Sequence, residues 1–193
     1  MARKKTFRLT LQYNSPVVLT FSLLCLGVLL LDWYAGDRYT TLLFSVYRSS
    51  LRDLLTYPRM VLHVLGHADY AHFISNITLL LVIGPPLEER YGSRRLFWCI
   101  AITALVSGLI QFIFFPGTAL LGASGIVFML ILLSSLSGMT GGIPLTFLLV
   151  AVLYLGDEVY TAVTQTDSVS QLTHIVGGVC GAVLGLAMRT KRF

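Results

Sequence analysis

The chain has 193 residues, of which 55% are hydrophobic and only 12% charged, with a mean hydropathy of +0.79. That balance excludes an ordinary soluble domain and points to an integral membrane protein. The formal charge of +5 is accounted for by loop asymmetry and attraction to membrane lipids with anionic head groups, so no nucleic acid partner is expected.

Six apolar runs are long enough, or nearly so, to cross ~30 Å of hydrocarbon: about 17–34, 70–87, 96–115, 120–137, 143–156 and 169–188. The expected fold is an all-α, polytopic bundle of six transmembrane helices forming one domain over 1–193. The first run follows a basic N-terminus but is long and lacks a small-residue cleavage site, so it reads as a retained signal anchor. The segment after it, from about Ala35 to Asp69, is the longest loop. Its clusters Leu42-Leu43-Phe44, Leu51, Leu54-Leu55 and Val61-Leu62 alternate with Arg48, Arg52 and Arg59. This pattern suits amphipathic pieces lying in the membrane interface, bracing the bundle or steering a lipid-embedded ligand. A surface loop with scattered leucines is the plainer alternative.

The second run is interrupted by Asn76 and Pro85-Pro86, and the fifth is short for a perpendicular helix. Cys25, Cys99 and Cys180 fall within runs and are odd in number, against a disulfide framework. Orientation follows from the basic residues, which concentrate in cytoplasmic loops. With an interior N-terminus, Arg3, Lys4, Lys5, Arg8, Arg90, Arg94, Arg95, Arg189, Lys191 and Arg192 fall inside. Asp37, Asp53, Asp157, Glu158 and Asp167 then map outside. Both termini are expected to be cytoplasmic.

Four polar residues stand within the apolar runs, where polar groups are costly and call for a reason. Ser124 lies in Gly122-Ala123-Ser124-Gly125 after the turn-forming Pro116-Gly117. Glycines remove bulk around the serine, and a helix start offers free N–H groups and a positive dipole end, the ingredients of an oxyanion hole. A packing serine is the bland alternative. His174 opens a series with Gly178, Gly181 and Gly185 that falls on one helix face, a groove for a close neighbour with an imidazole at its upper end. Set against Ser124, such a histidine is a general base; alone, it reads equally as a proton relay or a packing residue. His72 and Asn76, four apart, share a face and both donate hydrogen bonds. His63 and His67 precede them. This density of histidine invites a metal reading, but no cysteine or carboxylate accompanies it at ligand spacing. Runs two, four and six all pass from outside to inside with their polar groups early, so all four residues share one depth.

In His63-x3-His67-x4-His72-x3-Asn76, Gly84…Leu87-Glu88-Glu89-Arg90-Tyr91-Gly92-Ser93, Gly122-x-Ser124-Gly125 and His174-x2-Gly177-Gly178, the chain resembles the rhomboid family of intramembrane serine proteases, six-helix bacterial type. The likeness covers about residues 60–190. It implies that Ser124 is the nucleophile and His174 the general base of a dyad. His72, Asn76 and the Ser124 N–H would stabilise the oxyanion. His67 would belong to a supporting network with Gly122, Gly125, Phe128 and Gly178, and Glu88 would tie a span end to its neighbours. The resemblance further implies cleavage of transmembrane-segment protein substrates near the outer face, in a bacterial inner membrane, with no metal and no cofactor. Two departures stand out. Phe128 occupies a position usually held by a tyrosine that stacks on the base, and the first loop lacks the Trp-Arg pair of many members. A proteolytically inactive rhomboid-like client-binding protein and a His-lined metal or proton transporter are the alternative functions.

Overall fold

The computed structural model describes residues 12–36, 38–139, 142–157, 159–160 and 169–188. The terminal cations Arg3, Lys4, Lys5, Arg8, Arg189, Lys191 and Arg192, and the acids Asp37, Glu158 and Asp167, lie outside the described residues.

In chain order the elements are α1 (Pro16–Ala35), α2 (Arg38–Leu43), β1 (Val46–Tyr47), α3 (Thr56–Leu62) with a 3-10 turn (His63–Leu65), α4 (Tyr70–Tyr91), α5 (Ser93–Phe114), β2 (Ala119–Leu120), α6 (Ser124–Leu136), α7 (Leu145–Val150) leading into a π-helical turn (Ala151–Leu155), and α8 (Val169–Ala187). The architecture is an all-α membrane bundle. By length and composition, α1, α4 and α5 are long and apolar enough to cross a membrane, while α6, α7 with its π turn and α8 are shorter apolar helices.

Local chemistry explains the ends. Pro16 starts α1, where its missing N–H is no loss. The Glu88 carboxylate, on α4, accepts the Val17 and Val18 N–H groups at 2.9 and 3.0 Å. It satisfies donors that a helix start leaves open and sits at the positive end of the dipole, tying α1 to α4 as the resemblance implies. Asp69 caps α4 by accepting the His72 N–H at 2.7 Å. Pro85 and Pro86 do not end α4, which continues to Tyr91 and stops at Gly92, whose φ of 82° favours glycine; apolar surroundings make intrahelical pairing the only outlet for the remaining backbone groups.

The fourth apolar run starts its helix later than the sequence suggests. Ala119 and Leu120 pair with Tyr47 and Val46 in a short antiparallel ladder, so α6 begins only at Ser124. Once begun, α6 is the axis of the bundle, and Ile126, Met129, Leu132 and Leu133 are fully buried. Its closest neighbour is α8. A Cβ on Gly177 would collide with the Gly125 carbonyl and one on Gly181 with the Met129 carbonyl, so the two backbones touch at small-residue positions, as membrane helices without a hydrophobic drive between them require.

The first loop folds against the bundle, the bracing role expected of it. Gly66 admits the Phe44 carbonyl and Gly108 of α5 admits the Met60 carbonyl at distances no Cβ allows. Arg59 is buried, 3% exposed. It donates from Nε to the Leu42 carbonyl at 2.6 Å and from its terminal nitrogen to Asp53 at 3.0 Å, and lies over the Tyr47 ring at 4.8 Å. The Trp-Arg pair is absent, yet one arginine knits α2, β1 and α3 together.

Candidate active site

Ser124 is the first residue of α6. The residue before it, Ala123, offers no side-chain cap, so the first N–H groups of the helix are left for another acceptor. The approach to Ser124 is held from the first loop: the Gly122 N–H donates to the His63 carbonyl at 3.0 Å. Gly122 has φ 124°, a conformation side chains rarely adopt, and a Cβ there would fall 2.7 Å from Cε1 and 2.9 Å from Nε2 of His72. The His72 ring therefore rests on the Gly122 backbone, two residues from Ser124.

On the other side stands α8. A Cβ on Gly125 would touch Thr173 at 3.1 Å, and Phe128, one turn below Ser124, stacks on the His174 imidazole with centroids 4.3 Å apart and planes 6° from parallel. Stacking at this position thus needs no hydroxyl. The starts of α4, α6 and α8 are thereby gathered, with one histidine ring on Gly122 and the other on Phe128.

Asn76 is buried, one turn below His72 on α4, and donates from Nδ2 to the His72 carbonyl at 3.0 Å. An amide nitrogen has two hydrogens, so a second remains for an incoming acceptor. His67 is buried beneath His72, edge-on to it at 5.1 Å and to Phe73 at 5.5 Å. Burial holds its imidazole down at about 4, assisted by the charge of His72 and opposed by the Leu65 carbonyl and Asp69. His63, fully buried, sends Nε2 to the Ala104 carbonyl at 3.1 Å, and burial likewise pushes it down to about 4 against that hydrogen bond. Both rings point at backbone carbonyls and serve the scaffold.

Several contributors escaped sequence reading. Gly177, rather than Gly178, makes the closest approach to Gly125, while a Cβ on Gly178 would fall 2.5 Å from Leu155 of the π turn. Tyr154 meets Phe128 edge-on at 5.8 Å and 76°. Arg59 looked like an interfacial cation. The Gly177-Gly178 pair was visible as a small-residue stripe; nothing in the sequence signalled Tyr154 or the burial of Arg59.

A family model described as the Rhomboid domain matches residues 55–191. The chain belongs to the rhomboid family. Its similar proteins include the Rhomboid protease GlpG of Serratia proteamaculans, 29% identical over 90% of this chain and 61% of that protein. The Rhomboid protease GlpG of Klebsiella pneumoniae is 30% identical over 64% of this chain and 45% of its own. Rhomboid-related protein 1 of Caenorhabditis elegans is 29% identical over 66% and 38%. This rhomboid therefore spans less than two thirds of the length of these curated relatives. Family and apolar helices together make it an integral membrane protein.

Proposed function

We propose that this rhomboid is an intramembrane serine endopeptidase that cuts membrane-spanning segments of other proteins near the outer membrane face, using Ser124 and His174. The observation that carries the reading is a serine opening an uncapped helix, with one histidine ring resting on Gly122 just before it and another stacked on Phe128 one turn after it. The naming of its GlpG relatives as rhomboid proteases agrees with it.

In this mechanism Ser124 Oγ attacks the scissile carbonyl as His174 takes its proton. Negative charge gathers on the carbonyl oxygen and is met by the Ser124 N–H, the His72 ring and the second amide hydrogen of Asn76. Collapse breaks the C–N bond, and His174 returns the proton to the leaving amine. Water, activated by the same imidazole, then hydrolyses the acyl-enzyme. His72 and Asn76 act on rate: each oxyanion donor is worth roughly 10²–10³ in kcat where one has been removed from a serine protease, whereas the serine decides whether acylation occurs at all. Donors in this buried setting act more strongly than in water.

The substrates are transmembrane segments that unwind readily and carry a small residue before the cut. The chain works as one membrane domain with both termini in the cytoplasm of a bacterial cell, its site opening toward the outer face. The test is labelling by a fluorophosphonate probe together with cleavage of a membrane-anchored peptide panel whose products are sequenced. Wild type is expected to label and cleave, and Ser124→Ala to do neither; an unlabelled wild type, or equal cleavage by Ser124→Ala, would falsify the proposal.

A further inference from the structure

Directly after α7 the chain departs from regular α-helix beside the candidate site. Ala151–Leu155 form a π turn, a wider and less favourable arrangement than α-helix that recurs at functional positions. Two consecutive side chains of this turn reach two different helices. Tyr154 meets the Phe128 ring of α6 edge-on, 5.8 Å between centroids, and Leu155 enters the notch left by Gly178 on α8. Phe128 in turn lies flat on His174, 4.3 Å away. Three rings therefore form a file, Tyr154 on Phe128 on His174, with geometries that the aromatic quadrupole favours: an edge contact followed by an offset stack.

The file joins regions of unequal firmness. Phe128 belongs to the buried axis of the bundle, whereas no residue of α7 or of the π turn is buried, and Tyr154 itself is 45% exposed. A phenylalanine ring has no hydrogen bond with which to hold an imidazole. Its orientation depends on the neighbours that hold the phenylalanine itself, and Tyr154 is one of them.

We propose that Tyr154 is a positioning residue for His174. By bracing Phe128 against the imidazole, it makes the orientation of the base depend on the seating of α7 and its π turn against α6 and α8. This rests on the reading of His174 as general base, and Tyr154 touches no reacting atom.

The experiment measures fluorophosphonate labelling rate constants, and kcat and KM for a membrane-anchored peptide, in wild type, Tyr154→Ala, Tyr154→Phe, Phe128→Ala and the double alanine variant. The end point of labelling counts folded sites, so the rate constant is unaffected by any unfolded fraction. Tyr154→Ala is expected to lower both the labelling rate constant and kcat by about three- to tenfold, the scale of one aromatic pair, with KM unchanged. Tyr154→Phe should stay within about twofold of wild type, because the edge contact needs no hydroxyl. In the Phe128→Ala background, Tyr154→Ala should add nothing, since the coupling runs through that ring. A Tyr154→Ala effect confined to KM, with labelling at the wild-type rate, would overturn the inference by making Tyr154 a substrate contact. Additive losses in the double variant, or a Tyr154→Phe as slow as Tyr154→Ala, would overturn it as well. A wild type that takes no label points instead to failure of the catalytic reading itself.

Discussion

Two segments border the candidate site and are built oppositely. The first loop, from α2 to the 3-10 turn, is short of regular structure yet pinned throughout: Arg59 is buried against Leu42 and Asp53, the Met60 carbonyl is pressed onto Gly108, and the His63 carbonyl holds the Gly122 turn. The helix α7 and its π turn are helical throughout but bury none of their residues. A segment's rigidity here follows from what its polar groups and backbone touch rather than from its secondary structure. One wall of the site is thus fixed to the bundle, and the opposite wall leans on it through Tyr154 and Leu155.

The contrast is broken most severely at the helix seam both walls share. Gly181→Val forces a branched side chain into the Met129 carbonyl and is expected to cost more than about 3 kcal/mol, as overpacking that backbone cannot relieve. Loss of the folded fraction in a detergent unfolding titration checks this. On the fixed wall, Arg59→Met removes the donor to the Leu42 carbonyl and leaves Asp53 without its cation. It should destabilise by about 2–3 kcal/mol, read as a lowered midpoint in the same titration.

Acid loosens the same wall. His63 and His67 are held at about 4 in the fold, below the 6.5 of an exposed imidazole. Between those values the unfolded chain binds protons that the native chain refuses, so stability is full above about pH 6.5 and declines as pH falls toward 4. The loss is at most about 3 kcal/mol per histidine. Replacing His63 with asparagine should flatten part of that slope in unfolding midpoints taken from pH 7 to 4; an unchanged slope would remove His63 from the account. On the exposed wall, by contrast, Val152→Ala changes a side chain 69% exposed and is expected to shift stability by less than about 0.5 kcal/mol. A shift as large as that of Arg59→Met would erase the distinction between the two walls.

Much of the bundle was legible because membrane segments announce themselves by composition: without water, apolar runs have no outlet but helix. The polar residues Ser124, His72, Asn76 and His174 stood out for the same reason, as exceptions in apolar runs. The first loop is less legible, because alternating leucines and arginines do not say what they pack against, and only the Leu42 carbonyl and the Asp53 carboxylate that meet Arg59 show it. The start of α6 was read four residues early, since Ala119 and Leu120 are apolar enough for helix but find strand partners in Val46 and Tyr47.

What the sequence by itself determined is the class of the molecule, its apolar segments, and a short set of candidate residues carried by spacing and family resemblance. Only the tertiary structure decided which glycine meets which carbonyl, that Arg59 is interior, and that Phe128 touches both His174 and Tyr154. The physical reason is range. Helix formation and polarity are set by neighbours along the chain, whereas ring stacking and backbone contact are set by residues from distant segments that meet only after the helices have packed.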